Sequence, residues 1–293
     1  HQEHGVLQGL WQVLLSLVRS ELSNPLFQEL LTVSTTDTLF ETDGPLAVLT
    51  FNRPQAHNAM TWAMYQALVD ACEEVDARSE ILVFILRGAG GQAFVSGTDI
   101  EQFKTFASPG DGVAYERRLD EVLDRLERVG KPTIAQIEGV AAGGGCAIAI
   151  ACDLRYCTPG SKFGVPIART LGNCLSVANH ARLLDLVGPA RLKELMFTGG
   201  FLEAHEAATL GVVNRVVAVD EIEQFVRDVA DTITKNAPLT IKATKEIVRR
   251  IQASRRLDSD AGRDLISLCY TSNDFAEGVD AFLEKRTPKW RGQ

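Results

Sequence analysis

Two stretches of this chain pair glycines with the start of a helix. Gly139-Val140-Ala141-Ala142-Gly143-Gly144-Gly145-Cys146 carries a strand into three glycines that open a small-residue helix. Glycine lets a ligand come close to the backbone and tolerates positive φ. The first helical N–H groups have no internal acceptor and favour negative charge. Such a junction suits a phosphate or a developing oxyanion. It is not a GxGxxG fingerprint, and no Lys-Ser/Thr follows as in a P-loop. Tight helix–strand packing accounts for the same glycines. Ala93-Phe94-Val95-Ser96-Gly97-Thr98-Asp99-Ile100 is a second strand–glycine–helix junction, with free amides near Thr98. Two such junctions aimed at one point make a two-donor oxyanion hole.

The elements that position these junctions follow from periodicity. Residues 37–52 read as a hairpin around Asp43-Gly44-Pro45. Asn58 and Thr61 offer caps for a helix through about Arg78. The near-continuous apolar run at 81–88 predicts a strand buried on both faces, and 93–96 a second short strand. A helix is expected from Asp99, which serves as its cap. Leu119, Val122, Leu123 and Leu126 mark a helix over 111–129. Thr133–Gly139 and Cys152–Cys157 read as strands, with Asp153 holding a strand end. Helices are expected over 174–186, 188–197, 203–210, 219–236, 238–253, 257–269 and 272–285. Strands and helices interleave up to about 217 and only helices follow. The pattern is an α/β body with a helical appendage: a core over 33–218 and a helical region over 219–293.

At the start, Leu7, Leu10, Trp11, Leu14, Leu17 and Val18 recur at helical spacing over 5–22. Residues 1–32 therefore read as an amphipathic extension rather than a secretory leader, which needs a basic start and a small-residue cleavage site. The 293 residues carry 30 basic and 38 acidic side chains, a net charge of −8, which argues against nucleic-acid binding. No run of 18 apolar residues predicts a membrane span. The six cysteines contain no CxxC pair, so no metal site is expected, and reduced thiols in a cytoplasm fit best.

The ordered set Asn52-Arg53-Pro54…Asn58-Ala59-Met60, Ala93–Ile100, Gly139…Gly143-Gly144-Gly145-Cys146…Ala151-Cys152-Asp153 and Lys162-Phe163-Gly164-Val165-Pro166 resembles the enoyl-CoA hydratase/isomerase (crotonase) superfamily. Gly188, Thr198-Gly199, Ala207…Gly211-Val212-Val213 and Glu277-Gly278…Ala281-Phe282-Leu283-Glu284-Lys285-Arg286 continue the match, over about 34–290. The resemblance implies a crotonase-like spiral of ββα units, with a C-terminal helical region that builds a homotrimer, often doubled to a hexamer. It implies an acyl-CoA thioester as substrate, with coenzyme A belonging to the substrate rather than acting as a cofactor, and a place in fatty acid metabolism. The carbonyl oxygen would lie between the backbone N–H groups of Thr98 and Gly144. Gln55, Ala56, His57, Ser96, Asp99, Ile100, Phe282 and Lys285 match positions around the thioester, with Lys104 and Arg286 further candidates for CoA phosphates.

Two positions depart from the hydratases. Their catalytic glutamates match Ala147 and Ile167 here, and neither side chain moves a proton. Ordinary hydration is therefore not expected. An isomerase, a lyase, a decarboxylase, a hydrolase, or a non-catalytic acyl-CoA binder are the readings left. Replacement groups are sought in the loop after Ile167. Cys174, near a helix N-terminus, could act as a low-pKa nucleophile, or be a small buried hydrophobe. Asn173 or Ser176 could orient water or a polar acyl group, or Ser176 could simply cap a helix.

Overall fold

The computed structural model describes residues 37–106 and 108–292, so the amphipathic helix expected at 5–22 lies outside the described residues. In chain order the elements are β1 (Thr38–Asp43), β2 (Leu46–Phe51), α1 (Trp62–Ala77), β3 (Val83–Gly88), β4 (Ala93–Val95), α2 (Pro109–Glu127), β5 (Thr133–Ile137), β6 (Val140–Ala142), α3 (Gly144–Ala151), β7 (Leu154–Cys157) and β8 (Lys162–Gly164). There follow α4 (Ile167–Thr170), α5 (Val177–Thr198), β9 (Leu202–Glu203), α6 (Ala204–Thr209), β10 (Arg215–Val216), α7 (Ile222–Thr234), α8 (Pro238–Ala253), α9 (Arg263–Tyr270) and α10 (Asn273–Leu283).

The strands form two sheets, of order β1-β2-β3-β5-β7-β10 and β4-β6-β8-β9. Each of the pairs β3/β4, β5/β6 and β7/β8 gives its first strand to the larger sheet and its second to the smaller. This alternation is the spiral of ββ units that the resemblance implied. The β1–β2 hairpin is antiparallel, and β2, β3, β5, β7 and β10 then run parallel.

Burial explains the composition of the central strands. Val83 and Ile85 of β3 face one side, where Ile134, Ile222, Val226 and Ala230 join them. Phe84 and Leu86 face the other, packed in the core that holds Leu68, Cys72, Leu123 and Leu126. A strand covered on both faces needs apolar residues at every position. The region from 219 onward is therefore not simply an appendage, since α7 closes one face of the large sheet.

Other boundaries shift for local reasons. Asp99 caps a 3-10 turn over Ile100–Thr105 rather than an α-helix, accepting from the Glu101 N–H at 3.2 Å. The expected helices 174–186 and 188–197 run together as α5, which starts at Val177 and breaks at Gly188 (φ 71°). Glycine reaches that φ without strain, and Pro189 disfavours helix in the residue before it. The helix expected from 257 opens as a 3-10 turn over Ser259–Gly262, and α9 begins at Arg263. Asp153 ties strand to helix, accepting from the Thr133 N–H (2.8 Å) and from Lys245 Nζ (2.7 Å). No helix among the described residues is long and apolar enough to cross a membrane.

Candidate active site

In the small sheet β4 pairs in parallel with β6, and β6 with β8. Three parallel strands thus end side by side and release three loops at one edge, where open α/β sheets place their crevices. β4 leads through Gly97 (φ 123°) to Thr98, and β6 leads through Gly143 (φ 51°) to Gly144 at the start of α3. β8 leads through Pro166 to Ile167.

Hydrogen bonds fix the first two junctions. The Met60 N–H donates to the Gly97 carbonyl (2.8 Å) and the Asp99 N–H to the Met60 carbonyl (2.9 Å). The Gly143 N–H donates to the Gly164 carbonyl at 2.9 Å. The N–H groups of Thr98 and Gly144 have no acceptor among the described residues. The junctions touch: a Cβ added to Gly143 would lie 3.7 Å from Gly97 Cα, and one on Gly144 3.4 Å from Thr98 Oγ1. Two unspent amides therefore lie on neighbouring stretches of backbone.

They border a cavity of about 350 Å³. Ala56, His57, Ser96, Thr98, Asp99, Ile100, Gly144, Ile167, Asn173 and Phe282 all line it. Gln55 and Lys285 are exposed, Lys285 with φ 55° just past α10. Ala147 is buried within the hydrophobic core. Lys104 pairs with Glu101 at 2.6 Å, and Arg286 pairs with Glu277 and Glu284. Asp99 accepts from Arg53 at 3.0 Å.

In the loop after Ile167 the plainer of the two readings of Ser176 holds. Ser176 caps α5, accepting from the Asn179 N–H (3.1 Å) and donating to Asp120 (2.7 Å). A hydrogen bond with Cys269, burial and the charge of Glu116 all push the Cys174 thiol up. That is the reverse of the lowered pKa a nucleophile needs.

Three further side chains shape the site, Tyr115 and Glu116 on the cavity wall and Tyr65 behind Thr98. The hydroxyls of Tyr65 (2.8 Å) and Tyr115 (2.7 Å) hold Thr98 Oγ1 from two sides. Burial pushes both phenols up, so they stay neutral and hold the threonine by hydrogen bonds alone. Beside Tyr115 on α2, Glu116 is 1% exposed yet lines the cavity. Its Oε2 accepts from the Ser176 N–H and its Oε1 from the Tyr270 hydroxyl, each at 2.7 Å. Asn173 Nδ2 donates to Tyr270 at 3.0 Å, while Asn173 Oδ1 is buried without a partner. A readable sign existed: Glu116 stands three residues before Leu119 and seven before Leu123, on the apolar stripe of its own helix. A carboxyl on that stripe stands out from an ordinary core helix.

A second cavity, about 490 Å³, lies under α8. Its charged groups are largely spent on one another: Lys245 on Asp153 (2.7 Å), Arg182 (2.9 Å) and Arg256 (2.9 Å) on Glu127. Among the described residues no group of three or more His, Cys, Asp or Glu side chains could hold a metal ion.

Comparison with known proteins agrees with this geometry. The family model for enoyl-CoA hydratase/isomerase matches residues 41–293. The chain is 34% identical to a short-chain-enoyl-CoA hydratase of Clostridium acetobutylicum, over 85% of this chain and 95% of that one. It is 33% identical to a crotonyl-CoA hydratase of Syntrophomonas wolfei, over 85% and 95%. Among solved structures, a methylmalonyl-CoA decarboxylase in complex with 2-nitronate-propionyl-CoA superposes with a TM-score of 0.81 at 29% identity, covering 88% of this chain and 99% of the other. An enoyl-CoA hydratase/carnitine racemase from Magnetospirillum magneticum gives 0.72 at 33% identity, covering 89% and 97%. With a spiral of paired strands, two free amides at one cavity and relatives matched nearly end to end, this chain is an enzyme of the enoyl-CoA hydratase/isomerase family, within the crotonase superfamily.

Proposed function

We propose that the cavity binds an acyl-CoA thioester and that the Thr98 and Gly144 amides grip its carbonyl oxygen. The observation that carries this reading is the pair of unspent N–H groups meeting at the ends of β4 and β6. Fixed dipoles in a dry site stabilise charge building on the oxygen without reorganising as the reaction proceeds. An enolate-like state is thereby made accessible. His57 and Phe282, with the neighbouring Gln55 and Lys285, form the rim toward which the CoA moiety extends.

Ala147 and Ile167 offer no carboxylate at the two positions the hydratases use. A substrate that carries its own carboxylate at the α-carbon needs only the hole and a proton donor, which favours decarboxylation over hydration. The structural likeness to a methylmalonyl-CoA decarboxylase supports the same choice. The competing reading is a binder that turns nothing over. A panel of saturated, α,β-unsaturated and α-carboxylated CoA thioesters separates them, with calorimetry for binding and mass spectrometry for product. Decarboxylation of the α-carboxylated members is expected; tight binding with no product from any member refutes catalysis, and no binding refutes the site.

A homotrimer in the cytoplasm is part of this proposal. Leu265 (55%), Leu268 (67%) and Phe282 (49%) stand exposed on α9 and α10, an apolar load suited to a neighbouring copy. Sedimentation of a stable monomer would count against it.

A further inference from the structure

We propose that the Glu116 carboxyl, held by the Ser176 amide and the Tyr270 hydroxyl inside the cavity, moves the proton to and from the α-carbon of the bound thioester. This rests on the acyl-CoA reading above and supplies the proton carrier that Ala147 and Ile167 cannot.

Elimination among the cavity-lining groups leads there. The other carboxylates on the wall are Asp99, bound to Arg53, and Glu101, which pairs with Lys104 and is exposed. His57 is exposed at the rim, in the left-handed conformation. The Tyr115 hydroxyl is spent on Thr98. Glu116 alone combines a buried position, a place on the wall and two fixed donors. The unpartnered Asn173 Oδ1 on the same wall is a second sign that a polar ligand atom belongs beside this network.

The step balances without any co-reactant. Glu116 as carboxylate takes the α-proton; the C–H pair becomes the enolate double bond and the carbonyl π pair moves onto the oxygen, between the two amides. Reversal returns a proton from the carboxyl to the α-carbon. Where the substrate loses CO2, the C–C pair forms the enolate instead. The enolate then takes the Glu116 proton, and the carboxylate regains one from water.

Burial pushes the Glu116 carboxyl up to about 8, against the hydrogen bonds from Tyr270 and Ser176 and with help from Asp120. It therefore holds its proton at neutral pH and can give it up just above. The groups facing it are Asp120 on its own helix, Tyr270 on α9, Cys174 before α5, and Tyr115 and Tyr65 toward the amides. Asp120 lies 3.5 Å from Arg182.

The test needs no knowledge of the natural acyl group. Butyryl-CoA is incubated with the enzyme in heavy water, and α-deuteration is followed by mass spectrometry across pH. The wild-type enzyme is expected to exchange the α-hydrogens, faster as pH rises to a plateau above the Glu116 midpoint. Glu116→Gln should lower the rate by at least about 100-fold while butyryl-CoA binding stays within about threefold. Tyr270→Phe removes a donor to the carboxylate and should move the midpoint up by about one pH unit. That readout stands even if Glu116→Gln does not fold. Exchange by Glu116→Gln at the wild-type rate, a Tyr270→Phe midpoint that stays put, or butyryl-CoA bound by wild type without exchange each overturns the proposal. Failure of wild type to bind butyryl-CoA overturns instead the acyl-CoA reading beneath it.

Discussion

Gly145→Ala tests how the two amides are held together. A Cβ at Gly145 would fall 2.0 Å from the Val95 carbonyl oxygen and 2.7 Å from its carbonyl carbon, where ordinary contact starts at 3.4 Å. Val95 ends β4, and its carbonyl cannot rotate aside as a side chain could. The start of α3 must instead withdraw from β4 by about 1 Å. Overpacking of this kind costs typically 1–3 kcal/mol, and a backbone obstacle puts it near about 3 kcal/mol. In a domain of this size that lowers Tm by roughly 6–12 °C. The same withdrawal carries the Gly144 amide away from Thr98, and about 1 Å of misplacement costs on the order of 100-fold in rate. Scanning calorimetry reads the first effect, and butyryl-CoA exchange below both melting points reads the second. Gly160→Ala is the control: nothing lies within 4 Å of its Cβ and its φ is not positive, so it should stay within about 0.5 kcal/mol of wild type. A Gly145→Ala protein that melts with wild type and exchanges as fast would refute the reasoning.

Asn58 is fully buried, at φ 56°, and its side chain bonds the Arg53 N–H (2.8 Å) and the carbonyls of Ala89 (2.9 Å) and Ala93 (2.7 Å). Asn58→Ala should lower stability by about 3 kcal/mol, read as a lower urea midpoint with unchanged slope. Burial pushes the Glu127 carboxyl up, but hydrogen bonds and charge from Arg256 and Arg182 overcome it and hold it at about 2. Its stabilisation is thus complete above the unfolded value of about 4.3 and is lost as pH falls through about 2. Acid titration of Glu127→Gln should show a lower plateau and a shallower acid limb. Glu116 has the opposite sign: the unfolded chain ionises near about 4.3 while the folded one keeps its proton to about 8. Stability should fall across that window as pH rises, and Glu116→Gln should flatten the slope of Tm against pH.

Much of the scaffold could be read in advance because its signals are local and repeated. The turn at Gly44, the doubly buried run of β3 and the 111–129 stripe each declare themselves by pattern. Strands β8, β9 and β10 span two or three residues, too few to show an alternation in the sequence. The two glycine junctions were found as separate features; their meeting depends on β4 lying beside β6, a long-range pairing with no local trace. That Glu116 shares a cavity wall with Ile167 is likewise a long-range fact, since Glu116 comes from α2. Of the two readings open for Cys174, nearness to a helix start suggests a lowered pKa, but Cys269, burial and Glu116 act the other way. The three glycines also divide their work. Gly143 takes the left-handed turn, Gly144 offers its amide under the Tyr65 hydroxyl, and Gly145 admits the strand.

In the proposed grip on the carbonyl oxygen both donors are main-chain amides, and no codon change at Thr98 deletes an N–H short of proline. The groups that decide the outcome of the reaction are side chains on other elements, free to mutate one at a time. A lineage built this way can surrender one chemistry and acquire another without ever losing hold of its ligand.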